Sequence, residues 1–252
     1  MTGIMDLTMK SSGDIAAEDF WVSQTRHIRE YGDHLIVDGF YRSPDCVRGA
    51  ALRRGFEYRS DAVTYPGAEC YVDSPAWLEI HRQISLTLIT AHLQKNGEQR
   101  PSASTQRKAF PQGKFRVVTA QDELYRPDGV HQDFQRWSGI VYLTLPQHCR
   151  GGFEFYSHRP TGARGSADPL YVEFLEDMLS TVPVELRDYA IHAHMRDKSN
   201  WTLIDEIPLA YNRLVIAMAQ CFHATGVCFG DSLASARLSQ HFEFYEYESG
   251  AD

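Results

Sequence analysis

The spacing of apolar residues changes near residue 110, and this change limits the folds open to the chain. Before it, the longest regular pattern is "DSPAWLEIHRQISLTLITAHLQKNG", whose apolar residues recur at helical spacing. After it, segments such as "KFRVVTA" and "RLSQHFEFYEY" alternate apolar and polar residues, as half-buried strands do. Helices followed by strands predict an α+β fold whose sheet is curled or sandwiched.

Two helices and one short strand are predicted in the first half of the chain. The segment "HLIVDGFYRSPDCVRGAALRRG" indicates a strand, a turn and a helix that begins at Pro44 and ends at Gly55. The second helix begins at Pro75 and ends at Gly97. Its apolar stripe predicts that it packs against a sheet.

Strands dominate the second half. They are predicted at "KFRVVTA", "SGIVYLTLP", "GGFEFYSH", "NRLVIAMAQCFH" and "RLSQHFEFYEY". We expect the third of these to pair with the second across the turn-rich "PQHCRGG". The segment "LYVEFLEDMLS" predicts a helix, and the stretch from there to Trp201 is ambiguous.

We expect one folded domain. With 252 residues, of which 43% are apolar, the chain can bury one large core. Residues 1–17 are small, polar and aperiodic, so we expect them to be disordered. Residues 18–252 then form a single domain, helical to about residue 109 and with its strand core at 110–247.

Composition argues against several classes of partner. The formal net charge is −8 and no basic stripe is concentrated in the sequence, so nucleic acid and anionic membranes are not expected partners. No apolar run reaches the roughly 18 residues that span a bilayer, and no secretory leader is recognisable, so a cytoplasmic protein is expected. The five scattered cysteines predict free thiols. A homodimer stays open.

The segment "GVHQDFQRWSGIVYLT" places a histidine and an aspartate two positions apart, just before an apolar strand. In an extended chain such side chains leave the same face, so His131 and Asp133 project together. A third metal ligand is expected at a later strand end, and His223 follows the apolar run "LVIAMAQCF". Two histidines and one carboxylate on one face are the ligand set of non-heme iron oxygenases.

A possible carboxylate anchor follows in "ARLSQHFEFYEY", where Arg237 and Ser239 share a strand face. An arginine fork beside a hydroxyl can hold a carboxylate with two parallel charge-assisted hydrogen bonds and one more. An acid held there could reach the metal. Arg116 and Arg213 are the alternative basic anchors.

The order of HxD, distal histidine and RxS resembles the Fe(II)/2-oxoglutarate-dependent dioxygenases, which fold as a double-stranded β-helix, a form of jelly roll. The segments "VDGFYRSPDCVRGAAL", "TYPG", "WSGIVYLTLP" and "YNRLVIAMAQCFHATGVCFG" look like a bacterial branch that acts on small molecules. The resemblance covers roughly residues 35 to 247. It implies a jelly-roll, cupin-like core with the N-terminal helices packed on the sheet.

Carried over to this chain, the resemblance implies that His131, Asp133 and His223 bind Fe(II) and that Arg237, assisted by Ser239, binds 2-oxoglutarate. The reaction would use O2, give succinate and CO2, and hydroxylate an unactivated C–H bond of a small molecule such as an amino acid or natural-product intermediate. Ascorbate could support it in vitro. Related halogenases replace the carboxylate ligand with a small residue, so halogenation is disfavoured, whereas desaturation and cyclisation stay open.

Substrate contacts are weakly indicated. Tyr125 and Arg126 precede the HxD motif, Trp137 follows it, and Trp201 lies in the later insertion. These four residues are candidates for lining a substrate pocket, with packing in the core or at the rim as the alternative for each.

Two further alternatives remain. "YAIHAHMRD" contains an HxH pair, His192 and His194, which a cupin-type metal site could combine with Glu206 and His223. The other alternative is a β-helix that binds a metal or small molecule without turning it over.

Overall fold

The computed structural model describes residues 28–30, 32–58, 66–97, 112–125 and 129–245. Side chains at positions 124 and 125 are not part of the description. The segment 1–17, which was predicted to be disordered, lies outside the described residues, as does Arg126.

Ten strands lie within the described residues. They are β1 (Ile28–Glu30), β2 (His34–Val37), β3 (Ala68–Cys70), β4 (Lys114–Val118), β5 (Trp137–Tyr142), β6 (Gly152–His158), β7 (Trp201–Pro208), β8 (Arg213–Met218), β9 (His223–Ala224) and β10 (Arg237–Phe244). The α-helices there are α1 (Pro44–Arg53), α2 (Ala76–Gln83), α3 (Thr90–Lys95), α4 (Asp122–Tyr125), α5 (Pro169–Leu179) and α6 (Arg187–Arg196). None of the described helices is both long enough and apolar enough to cross a membrane.

The strands form two antiparallel sheets. The larger sheet has seven strands in the order β1-β2-β8-β5-β10-β4-β3, and the smaller has three in the order β7-β6-β9. The predicted α+β class is therefore confirmed. Every strand of the larger sheet except β1, β2 and β3 comes from the part of the chain after residue 110.

The predicted pairing of "SGIVYLTLP" with "GGFEFYSH" is wrong. Strand β6 leaves the larger sheet and lies in the smaller one between β7 and β9. The connection contains a 3-10 turn at Pro146–His148 and is longer than a tight hairpin loop, so it can carry the chain from one sheet to the other. Gly152 then lies so close to β7 that a Cβ atom would be 2.0 Å from the carbonyl oxygen of Ile207.

The N-terminal helices pack on the larger sheet, as the apolar stripe predicts. The predicted second helix runs from Ala76 to Lys95, but its middle, Ile84–Ile89, is a π-helical segment. Trp77 and Ile84 are buried together with Phe242 of β10 in one hydrophobic cluster. Burial of this apolar layer supplies much of the driving force for folding.

A second cluster lies between the two sheets. Strand β8 divides its side chains, because Leu214 and Ile216 face the helices whereas Val215 and Ala217 face the smaller sheet. From the smaller sheet, Phe153, Phe155 and Ile207 belong to the same cluster. This alternation gives the larger sheet an apolar layer on each of its faces.

A helical insertion covers the outer face of the smaller sheet. Helix α5 occupies the segment for which a helix was predicted, and the ambiguous stretch after it forms α6 and then leads into β7. Tyr171 of α5 packs with Trp201 and Phe222 in a third buried cluster. All five cysteines are free, as predicted.

Candidate metal centre

Backbone pairing brings the two predicted histidine ligands together. The amide of His131 donates to the carbonyl oxygen of His223 at 2.9 Å, and the amide of His223 donates to that of His131 at 2.8 Å. Two positions further on, the Asp133 amide donates to the carbonyl oxygen of Ala219 at 2.8 Å. The segment therefore follows the extended course that was assumed when His131 and Asp133 were placed on one face.

Three ligand atoms converge at this point. One side-chain ligand atom from each of His131, Asp133 and His223 lies within 4.8 Å of the other two. Nε2 of His223 is 3.6 Å from Oδ2 of Asp133, and the two imidazole centroids are 4.5 Å apart. Across the described part of the chain, no other set of three His, Cys, Asp or Glu side chains meets in this way. The three side chains could hold one metal ion.

Hydrogen bonds orient both imidazoles for metal binding. Nδ1 of His131 lies 2.8 Å from the carbonyl oxygen of Gly129, and Nδ1 of His223 lies 2.8 Å from that of Cys221. A carbonyl oxygen only accepts, so each Nδ1 carries the proton and each Nε2 keeps its lone pair in the neutral ring. This is the tautomer that a metal ligand needs.

The carboxylate of Asp133 is held by two neutral polar groups. The side-chain amide of Gln135 donates to Oδ2 of Asp133 at 2.9 Å, and the Ser138 hydroxyl approaches the same oxygen at 3.3 Å. Gln135 and Ser138 are both buried. Such outer hydrogen bonds fix the rotamer of a ligating carboxylate. Phe153 helps to fix the orientation of the His223 ring, because the two rings stack with centroids 5.0 Å apart.

The ligands open into a cavity of about 390 Å³ between the sheets. Its walls include Arg237, Ser239 and His241 from β10 and Lys114 and Arg116 from β4. This volume lies at the small end of the range of about 300–1,000 Å³ for small-molecule pockets. The cavity therefore suits small ligands.

The structure brings Arg237 and Ser239 to this cavity, as predicted. Arg237 is only 3% exposed, and its guanidinium donates to the carbonyl oxygen of Thr225 and, at 3.2 Å, to the Tyr142 hydroxyl. Among the described residues no carboxylate forms an ion pair with it. A buried guanidinium without a counter-ion is costly, so this position favours an anionic ligand.

His241 lies beside the anchor and is uncharged. Its Nε2 is 2.9 Å from the hydroxyl of Ser239. Burial, followed by the positive charges of Arg116, Lys114 and Arg237, holds the pKa of His241 well below its usual value. A neutral imidazole there adds no further positive charge to the cavity.

Sequence reasoning missed Lys114, and it named Arg116 only as an alternative anchor. Both follow from the alternation of "KFRVV", which places them on one strand face with Val118. The missing information was that β4 pairs with β10, so that this face lines the cavity. The other alternative anchor, Arg213, does not line the cavity and forms an ion pair with Asp38 at 2.6 Å.

Two predicted pocket residues lie elsewhere. Trp137 is buried against the helical layer, where its ring makes an edge contact with His92 at 5.7 Å. Trp201 belongs to the cluster outside the smaller sheet. The structure therefore corrects the suggestion that they line a substrate pocket. The Tyr125 side chain and Arg126 lie outside the description.

The cupin-type alternative is not supported by the geometry. His192 and His194 lie on helix α6 rather than on a strand, and Glu206 is exposed on β7. Within the described residues they form no three-ligand group with His223. Nδ1 of His194 is instead 3.1 Å from the side-chain amide nitrogen of Asn200.

The fold and the site define a mixed α and β protein in which two antiparallel sheets enclose a histidine and carboxylate centre. Residues 20–239 match a family described as "Family of unknown function (DUF6445)", and the chain belongs to that family. No curated protein matches the sequence.

Proposed function

We propose that this protein is a non-heme Fe(II)- and 2-oxoglutarate-dependent oxygenase that hydroxylates an unactivated C–H bond of a small molecule. One observation carries the proposal. A set of two histidines and one aspartate, with both imidazoles oriented by hydrogen bonds at Nδ1, shares a small cavity with Arg237, a buried arginine that has no carboxylate partner among the described residues.

The donor set fits iron. Two neutral imidazoles and one carboxylate on one side of an ion form the facial arrangement of non-heme Fe(II) oxygenases, which leaves positions open for small ligands. The ligand atoms come from His131, Asp133 and His223. Retention of the carboxylate argues against a halogenase, in which that ligand is replaced to make room for a halide.

The cavity wall fits 2-oxoglutarate. Arg237 would pair with the carboxylate at the far end of the co-substrate, and the Ser239 hydroxyl would add one hydrogen bond. The closed surroundings of Arg237 keep water from competing for its guanidinium, which strengthens such a pair. Iron and 2-oxoglutarate together supply the oxidising chemistry when bound. The protein contributes positioning and the exclusion of water.

The chain path supports a finer description of the fold as a double-stranded β-helix. After β5 in the larger sheet, β6 and β7 lie in the smaller sheet, β8 returns, β9 crosses again and β10 returns. Repeated crossing between two facing antiparallel sheets is the pattern of a jelly roll. The metal ligands lie where the crossings occur, since His131 precedes β5 and His223 begins β9.

The decisive experiment is an anaerobic titration of the Fe(II)-loaded protein with 2-oxoglutarate, followed through the visible absorption that develops on chelation. The wild type should develop the band. Arg237→Ala should bind 2-oxoglutarate roughly 150- to 5,000-fold more weakly, because truncating one partner of a desolvated ion pair costs about 3–5 kcal/mol. Arg237→Lys should recover only part of the loss, since an ammonium cannot reproduce the planar fork.

Arg82→Ala is the matched control, because Arg82 lies on the surface of α2 in an ion pair with Glu79. It should behave as the wild type does. Formation of succinate from 2-oxoglutarate in the presence of O2 and ascorbate then tests turnover. A wild-type protein that binds Fe(II) but neither develops the band nor forms succinate would instead be a binding module without turnover.

A further inference from the structure

A lysine on the cavity wall is largely but not fully buried, and it shares its one ion-pair partner among the described residues. Lys114 begins β4, its side chain is only 12% exposed, and it lines the cavity that holds the metal ligands. Its ion-pair partner among the described residues is Glu69, at 3.3 Å from Nζ. An ammonium group has three donors, so a single contact at this distance leaves capacity for an acceptor from a ligand.

The partner carboxylate is shared. Oε1 of Glu69 also accepts from the guanidinium of Arg116 at 2.6 Å. Arg116 and Lys114 therefore converge on one oxygen atom of one carboxylate, and the shorter contact belongs to the arginine. Burial by itself raises the pKa of Glu69, but the positive charges of Arg116 and Lys114 together outweigh it and hold this pKa below its usual value, so the carboxylate is ionised.

Lys114 is separate from Arg237, the proposed 2-oxoglutarate anchor, whereas Arg116 lies level with Ser239. Register places Arg237 opposite Val118, Ser239 opposite Arg116 and His241 opposite Lys114. Lys114 is thus four strand positions away from the level of Arg237, a separation of roughly 13 Å along the strand. One cavity accordingly presents two separate basic positions.

We infer that the substrate of this site is a small carboxylic acid whose carboxylate binds Lys114 beside Arg116, while 2-oxoglutarate occupies Arg237. The inference rests on the proposed function and assigns the substrate class. A carboxylate at Lys114 would complete the coordination of a largely buried ammonium, whereas an uncharged substrate would leave that ammonium with Glu69, its shared partner among the described residues.

Phe134 indicates which chemical group the rest of the substrate carries. Phe134, which follows the ligand Asp133 directly, lines the cavity and is 99% exposed. A fully exposed phenylalanine gains from contact with an apolar group. The acid 3-phenylpropionate and its amide 3-phenylpropanamide are therefore a suitable matched pair, since they differ in charge at one end and share the apolar body.

The experiment measures binding of each compound to protein loaded with Fe(II) and 2-oxoglutarate under nitrogen, by calorimetry and by perturbation of the visible band. The acid should bind the wild type at least tenfold more tightly than the amide. Lys114→Met, which keeps the length of the side chain and removes its charge, should lose at least tenfold in affinity for the acid. Lys95→Met, at an exposed lysine on α3, should not.

The same titrations separate this inference from the proposed function. Lys114→Met should retain the wild-type affinity for 2-oxoglutarate and the wild-type visible band. Loss of that band in Lys114→Met would make Lys114 a co-substrate ligand and overturn the substrate inference while leaving the oxygenase proposal intact. Equal binding of acid and amide, or binding of neither, would also overturn it. A wild type without any band would reject the proposed function itself.

Discussion

The side-chain amide of Gln135 lies 2.9 Å from Oδ2 of Asp133 and 2.7 Å from the hydroxyl of Ser138. Gln135 therefore connects the Asp133 carboxylate to the Ser138 hydroxyl through two hydrogen bonds. Because Gln135 is buried, water cannot readily take its place.

Replacing Gln135 by Ala should therefore weaken metal binding without removing a ligand. The expected loss is about 10- to 100-fold in affinity for Fe(II), the usual effect of removing a partner that orients a ligand. Competition with a metal-sensitive dye under nitrogen measures it. Gln94→Ala, at an exposed position on α3, serves as the control and should leave affinity unchanged. Unchanged affinity in Gln135→Ala would mean that Asp133 needs no such support.

Metal stoichiometry should distinguish the two histidine pairs. His131→Ala and His223→Ala each remove one of three ligands, so neither variant should retain Fe(II) after gel filtration. His192→Ala should keep one ion per chain, because His192 lies on α6 away from the three-ligand group. Metal analysis that gave the reverse pattern would place the site in the insertion instead.

His158 should make stability depend on pH. It is fully buried, and burial together with His194 lowers its pKa to about 4. A histidine in the unfolded chain has a pKa near 6.5. Between pH 6.5 and pH 4, His158 is therefore protonated in the unfolded chain but not in the folded one. The free energy of unfolding consequently falls as the pH falls from about 6.5 to 4. The contribution lost is on the order of 3 kcal/mol. Denaturant unfolding of His158→Phe should show a correspondingly smaller slope with pH, and an identical slope would contradict the assignment.

Gly152 should tolerate no side chain. An added Cβ would meet the carbonyl oxygen of Ile207 at 2.0 Å, and relief requires moving the backbone of β6 or β7. Gly152→Ala should lower the free energy of unfolding by about 1–3 kcal/mol, the usual cost of overpacking. Gly55→Ala, where nothing lies within 4 Å, is the control and should change stability little. If denaturant titrations gave Gly152→Ala the same free energy of unfolding as the wild type, the backbone of β6 or β7 would have moved to make room for the methyl group at no cost.

The residues that could be predicted from the sequence are those whose relationship is local. His131 and Asp133 share a face because they are two positions apart in extended backbone, and the same holds for Arg237 and Ser239. The structure brings both pairs to the same cavity. The place of His223 followed from the end of an apolar run, which is also a local signal.

What could not be predicted depends on which strands become neighbours. The pairing of β6 with β7 joins segments separated by the whole insertion, and nothing in "GGFEFYSH" specifies that partner. Trp137 was misplaced for a related reason. The alternation of β5 puts Ser138 and Ile140 on the cavity side and Trp137 on the other, but which side faces the cavity is fixed only by the neighbouring layers.

Strand β10 carries the helix-facing core on one side and the cavity wall on the other. Leu238 and Phe242 lie among the apolar residues under the helices, while Arg237, Ser239 and His241 face the smaller sheet. A deletion of one residue within this strand would exchange the two sets beyond the deletion point, driving charge into the core and hydrocarbon into the cavity. Side chains on either face of β10 can therefore change one at a time, whereas a change in the length of the strand alters the core and the cavity wall together.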